Sequence, residues 1–76
     1  MLVKILGPGC KNCQRLFQEV EGAIKEMGIE ARLEKVEDLD EIISHGALRT
    51  PGLVVDGVLK VSGRIPNKEE IKKYLS

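Results

Sequence analysis

The chain has 76 residues, 42% hydrophobic and 32% charged, a balance that is ordinary for a globular protein and argues against intrinsic disorder. Its twelve basic and twelve acidic side chains cancel, and Phe17 and Tyr74 are its only aromatic residues, so binding of DNA, RNA or an anionic membrane surface is not expected. The length predicts one domain, residues 1–76, with no room for a second core.

The first half of the chain predicts a strand, a helix and a second strand. Residues 2–6 form an apolar run that ends at Gly7-Pro8-Gly9, which is typical of a buried strand entering a tight loop. Apolar residues then recur at spacings of three and four as far as Met27, which predicts a helix with Gly28 as its C′ residue. Alternation of apolar and charged residues over 29–36 predicts a half-buried strand.

A short helix and a hairpin should follow. Asp38 or Asp40 can cap a short helix that ends at Gly46 and carries three apolar residues, Leu39, Ile42 and Ile43. Asp56-Gly57 lies between two apolar runs and tolerates positive φ at both positions, which predicts a two-residue hairpin turn.

The last helix and the sheet complete the predicted fold. Asn67 and Glu70 form a capping-box-like pair at the start of a final helix. A β-α-β unit is parallel and right-handed, whereas the hairpin must be antiparallel. The order β-α-β-α-β-β-α therefore predicts an α/β fold with a four-stranded mixed sheet flanked by three helices.

Cys10 and Cys13 lie three positions apart at the predicted start of the first helix. Residues at i and i+3 share a helix face, so the two sulfurs can meet without distorting the helix. A bridge closing so short a loop would constrain the unfolded chain by only roughly 2 kcal/mol, which makes a purely structural role a poor explanation.

The position of the two cysteines favours thiol–disulfide exchange instead. The N–H groups and dipole at a helix N-terminus favour a thiolate at Cys10, and Lys11 adds positive charge nearby. Cys13 lies one turn further in and should be more buried. We therefore predict that Cys10 is the nucleophile and that Cys13 is the resolving thiol, which releases the mixed disulfide.

Pro51 lies between the predicted short helix and the hairpin. The Cys10-Lys11-Asn12-Cys13 motif after a first strand, followed by Thr50-Pro51 before a hairpin, resembles the thioredoxin superfamily. The whole chain is similar to very small thioredoxin- or glutaredoxin-like proteins of the redox-active disulfide protein 2 type. The likeness includes the Gly-x-Gly-Cys-x-x-Cys opening and the segment 55–64. It implies a thioredoxin-like fold, a cis Pro51 against the disulfide, and a Thr50 backbone that receives an extended substrate segment.

The resemblance also implies a protein thiol–disulfide oxidoreductase that works with protein disulfide or dithiol clients and an unidentified reductase. The Cys10–Cys13 disulfide is then the redox group, and no other cofactor and no metal are expected. Lys11 and Arg49 could frame it with positive charge and select an acidic partner. We expect a cytoplasmic monomer, since residues 1–6 are too short and interrupted for a signal-peptide core and no apolar run approaches membrane-spanning length.

A carrier of Cu(I) or another soft metal is the main alternative for the same motif. Two thiolates suit linear Cu(I), whereas tetrahedral zinc needs four ligands and the chain offers two cysteines and a distant His45. Small heavy-metal carriers follow the order β-α-β-β-α-β and usually have Met two residues before the first cysteine, where this chain has Pro8. An interaction module whose cysteines no longer cycle is the third possibility.

Overall fold

The computed structural model describes residues 1–9 and 11–76, which form one sheet and three helices. The elements follow in the order β1 (Leu2–Leu6), α1 (Lys11–Met27), β2 (Arg32–Val36), α2 (Leu39–Ser44), β3 (Gly52–Val55), β4 (Val58–Ser62) and α3 (Lys68–Leu75). The predicted order of elements is confirmed.

The four strands are arranged in the order β2-β1-β3-β4. β1 and β2 are parallel, and β3 runs antiparallel to both β1 and β4. The turn between β3 and β4 has φ of 49° at Asp56 and 84° at Gly57, the two positive values that a tight hairpin of this type requires. The mixed sheet predicted from the sequence is therefore confirmed.

An apolar layer covers each face of the sheet. The larger one joins the sheet to α1 and α3 through ten buried residues: Val3, Ile5, Leu16, Val20, Ala23, Leu53, Val55, Val61, Ile71 and Leu75. The smaller one joins it to α2 and the loop after it through five: Leu6, Val36, Ile42, Ala47 and Val54. None of the helices within residues 1–9 and 11–76 is long and apolar enough to cross a membrane.

The short helix α2 buries only one of its three apolar side chains. Asp38 is its N-cap and accepts a hydrogen bond from the Asp40 N–H at 3.0 Å. Ile42 is buried, but Leu39 is 66% exposed and Ile43 is 55% exposed. One face of α2 is therefore apolar and open to solvent.

One strand boundary and one helix cap differ from the sequence expectation. The second strand begins at Arg32 instead of residue 29, because Arg32 pairs with Leu2, the first residue of β1, and earlier residues have no strand beside them. Half of the capping box at α3 forms, since the Asn67 side chain accepts from the Glu70 N–H at 2.9 Å. The Glu70 carboxylate pairs with Arg64 at 2.8 Å, which explains why it does not return to the cap.

Glu26 connects α1 to α3 through ion pairs with Lys68 and with Lys72, whose Nζ is 2.8 Å from a Glu26 carboxylate oxygen. Hydrogen bonds from Lys68 and then Lys72 lower the pKa of Glu26 from 4.5 to about 2. Because the pKa of Glu26 is lower in the folded state than in the unfolded state, its ionised carboxylate stabilises the fold at pH values above the unfolded pKa. This contribution disappears as the pH falls through about 2.

We expect Glu26→Gln to lower the thermal unfolding midpoint slightly at pH 7, because exposed ion pairs contribute little. The difference from the wild type should shrink as the pH falls from about 4.5 to about 2. Glu21→Gln is the matched control, since it removes a carboxylate from an exposed position of the same helix. Unfolding followed by circular dichroism across this range measures the effect, and a difference that is constant with pH would contradict it.

Candidate active site

Cys13 lies in the first turn of α1 and is only 5% exposed. The helix begins at Lys11, shortly after β1 ends, which places Cys13 in the first turn of the helix. Cys13 is disulfide-bonded in this structure. Cys10 lies outside the described residues, so its role as nucleophile and its pairing with Cys13 stay predictions.

Gly7 is the residue against which Cys13 packs. Gly7 is buried at the end of β1, where its N–H donates to the Val36 carbonyl at 2.8 Å. A Cβ at this position would lie 2.1 Å from Cys13 Sγ and 2.9 Å from Cys13 Cβ, closer than any real side chain allows. The same Cβ would lie 3.8 Å from Thr50 Cβ. Cys13 and Thr50 therefore both lie next to the Gly7 backbone.

Thr50 and Pro51 form the turn that leads into β3. The Thr50–Pro51 peptide bond is cis, and the Pro51 side chain is fully buried. β3 begins at Gly52, which pairs with the last residue of β1, so the turn reaches the same end of the sheet as the cysteine motif. The structure thus brings Cys13 and Thr50 together, although they are far apart in the sequence.

The end of β4 holds this turn in place. The Ser62 hydroxyl donates to the Arg49 carbonyl at 2.9 Å and accepts from the Arg49 N–H at 3.4 Å. The Gly63 N–H donates to the Pro51 carbonyl at 2.9 Å. The backbone on both sides of Thr50 is therefore fixed from one neighbouring strand, a role for Ser62 that the sequence analysis did not assign.

We expect Ser62→Ala to loosen the turn and raise KM for a protein disulfide more than it lowers kcat. Loss of one hydrogen bond typically costs about 0.5–1.5 kcal/mol, so loss of the two should raise KM by at least roughly two- to tenfold. Ser76→Ala is the control, because its hydroxyl also donates to a backbone carbonyl, that of Lys73, but at the end of α3. Steady-state kinetics measure the split, and equal KM values for Ser62→Ala and Ser76→Ala would contradict it.

The two basic residues singled out in the sequence lie in different surroundings. Lys11 is exposed at the first position of α1. Arg49 is also exposed, but its side chain runs along Gly63, whose added Cβ would lie 3.0 Å from Arg49 Cβ and 3.1 Å from Arg49 Cδ. Arg49 and Thr50 line one groove of about 630 Å³, together with apolar residues of α2 and the loop after it.

A smaller cavity of about 190 Å³ lies beside Cys13 and is also lined by Lys35 and Glu37 at the end of β2. The Lys35 ammonium lies 4.7 Å from the centre of the Phe17 ring, a cation–π distance. The cavity beside Cys13 is large enough for a few water molecules, each of which occupies about 30 Å³ in the liquid. Water can therefore approach a cysteine that is otherwise buried.

His45 is the C-cap residue of α2, where its N–H donates to the Glu41 carbonyl at 3.1 Å. Over the part of the chain that the structure describes, no group of three or more His, Cys, Asp or Glu side chains is arranged to hold a metal ion.

Comparison with known proteins gives a consistent family assignment. A family model described as "Thioredoxin domain" matches residues 1–76. A protein named "Thioredoxin" from Methanothermobacter thermautotrophicus is 50% identical over 76 residues, which cover 100% of this chain and 99% of that protein. A "Thioredoxin" from Methanocaldococcus jannaschii is 39% identical over 75 residues, covering 99% of this chain and 86% of the relative. A "Probable Thioredoxin" from Methanothermobacter marburgensis is 30% identical over 82 residues, covering 100% and 95%.

Proposed function

This chain belongs to the thioredoxin family, and on that premise we propose that it exchanges electrons with protein disulfides through a Cys10–Cys13 couple. Its activity is that of a thiol–disulfide oxidoreductase. The observation that carries the finer proposal is the burial of Cys13 at the start of α1, against Gly7 and next to the Thr50–Pro51 turn.

In the proposed cycle, the Cys10 thiolate attacks one sulfur of a client disulfide. A mixed disulfide forms, and the other client sulfur leaves as a thiolate that takes up a proton. Cys13 then loses its proton and attacks the Cys10 sulfur, which releases the second client thiolate. The client gains two electrons and two protons, and the cysteine pair becomes a disulfide.

The surroundings of Cys13 support its assignment as the resolving thiol. A Cys13 side chain that is 5% exposed cannot easily reach a client disulfide. Attack on Cys10, three positions earlier in the sequence, would not require Cys13 to be exposed to solvent. The cavity shared with Lys35 and Glu37 supports proton removal from Cys13 through water. The Thr50 backbone, next to the buried Pro51, would receive the extended client segment by strand-like pairing.

We further propose that the protein acts as a cytoplasmic monomer and needs no bound cofactor, since the cysteine pair itself stores the two electrons. A reductase returns the pair to the dithiol by the same steps in reverse. The metal-carrier function of the same motif stays an alternative prediction, and no specific observation favours it.

Trapping with Cys13→Ser tests the proposal. Without a resolving thiol, Cys10 should remain bonded to its client, so a native extract should yield mixed disulfides that dithiothreitol releases. The double variant Cys10→Ser/Cys13→Ser is the control and should capture nothing. Non-reducing electrophoresis followed by mass spectrometry identifies the clients. Equal capture by the two variants would contradict the proposed mechanism.

A further inference from the structure

The exposed apolar side chains of the described residues are concentrated in the groove that Thr50 lines. Five large hydrophobic side chains are exposed among residues 1–9 and 11–76: Met1, Leu39, Ile43, Leu48 and Val58. Three of them line the groove that also contains Thr50, with exposed fractions of 66% for Leu39, 55% for Ile43 and 91% for Leu48. Exposed apolar side chains that cluster in this way are typical of a surface that binds a partner. We refer to this groove, whose lining includes Leu39, Ile43, Leu48, Arg49 and Thr50, as the α2 groove.

Among the residues that the structure describes, Arg49 is the one charged residue that lines the α2 groove. The Ser62 hydroxyl forms hydrogen bonds with both the N–H and the carbonyl of Arg49. The Arg49 side chain lies along Gly63. The Arg49 backbone is therefore held in place before any partner binds. An apolar surface with a positive charge at its edge is complementary to an apolar segment that carries a negative charge.

We propose that the α2 groove selects clients in which the reactive cysteine is flanked by an apolar residue and by Asp or Glu. The apolar side chain packs on Leu39, Ile43 and Leu48, and the carboxylate pairs with Arg49. This inference rests on the proposed function, because Thr50 belongs both to the groove and to the proposed client-binding turn.

The continuity with Thr50 favours a client segment over a second copy of this chain. A segment that pairs with the Thr50 backbone continues directly onto Leu48 and Arg49, the two preceding residues. Nine described residues line the groove, whereas a stable protein interface involves roughly 20–30 residues on each side. The surface thus suits a transient substrate.

Three disulfide-linked peptides that differ only beside the cysteine test the inference. Their flanking residues are Leu and Glu, Leu and Lys, or Ser and Glu. For the wild type, kcat/KM should be roughly threefold higher for Leu-Glu than for Leu-Lys, as expected for an exposed ion pair. It should be roughly tenfold higher for Leu-Glu than for Ser-Glu, as expected for burial of a leucine side chain.

Variants then separate the two contacts. Arg49→Glu should reverse the preference for Glu over Lys, and Ile43→Ser should reduce the preference for Leu over Ser. The matched control is Val58→Ser, since Val58 is 54% exposed but lies on β4 and does not line the groove, and it should leave both ratios unchanged. The ratios are compared within each variant, so a change in overall rate does not affect them.

Equal kcat/KM values for the three peptides in the wild type, or an unchanged Glu preference in Arg49→Glu, would overturn the inference. A wild-type dimer that Ile43→Ser converts to a monomer in sedimentation would assign the groove to a second copy and would also overturn it. Reduction of bis(2-hydroxyethyl) disulfide, which has no flanking residues, isolates the underlying chemistry. A wild type that cannot reduce it contradicts the proposed function itself.

Discussion

Cys10→Ser should reduce the turnover of a protein disulfide to the background rate of the added dithiothreitol. Serine has no accessible anion at neutral pH, and the thiolate is the attacking species in disulfide exchange. Cys13→Ser should behave differently, because it keeps the nucleophile. One equivalent of mixed disulfide should form rapidly, and the reaction should then continue only as fast as dithiothreitol releases the client. Stopped-flow measurement of the first turnover, together with steady-state rates, distinguishes the two variants.

The comparison requires that both variants fold, which thermal unfolding under reducing conditions establishes. Turnover by Cys10→Ser close to that of the wild type would contradict the role of Cys10 as nucleophile. A burst in Cys10→Ser that is missing in Cys13→Ser would mean that the two roles are reversed. Alkylation provides a second readout, since Cys10 should react first at neutral pH.

Gly7→Ala should be the most destabilising single methyl addition among the glycines the structure describes. The new carbon would lie 2.1 Å from Cys13 Sγ, so either α1 or the end of β1 must shift. Overpacking of a core typically costs about 1–3 kcal/mol, and each kcal/mol lowers the unfolding midpoint of a domain of this size by roughly 4–8 °C. Activity should fall as well, because Thr50 lies on the other side of the same backbone.

Gly22→Ala is the matched control within α1. A Cβ at Gly22 meets nothing within 4 Å, and alanine is the better helix former by roughly 0.5–1 kcal/mol, so this variant should be slightly more stable than the wild type. Urea unfolding of the oxidised proteins measures both changes. If Gly7→Ala unfolded at the same urea concentration as the wild type, the close packing of Gly7 on Cys13 would be refuted.

Local sequence patterns were sufficient to predict the fold. The spacing of apolar residues defined α1, and Asp56-Gly57 defined the hairpin, because a tight turn depends on the conformations that its own two residues tolerate. Asn67 likewise marked the start of α3. Each of these signals acts between residues that are close in the sequence.

Features that depend on long-range contacts could not be predicted in the same way. Gly7 was interpreted only as the end of a strand, since nothing near it in the sequence shows that Cys13 will pack on its Cα. The two hydrogen bonds between Ser62 and Arg49 connect residues 13 positions apart and require the β3–β4 pairing. The exposure of Ile43 follows from the small size of the core beneath α2.

The proposed function requires the two thiols of one chain to act as a single redox couple. Titration of the protein against mixtures of oxidised and reduced glutathione, with mass spectrometry of the alkylated products, tests this. We expect both thiols to disappear together in one two-electron transition, within a monomer, and to return on reduction. A reduced protein that binds one Cu(I) tightly and never forms the internal disulfide would contradict the account.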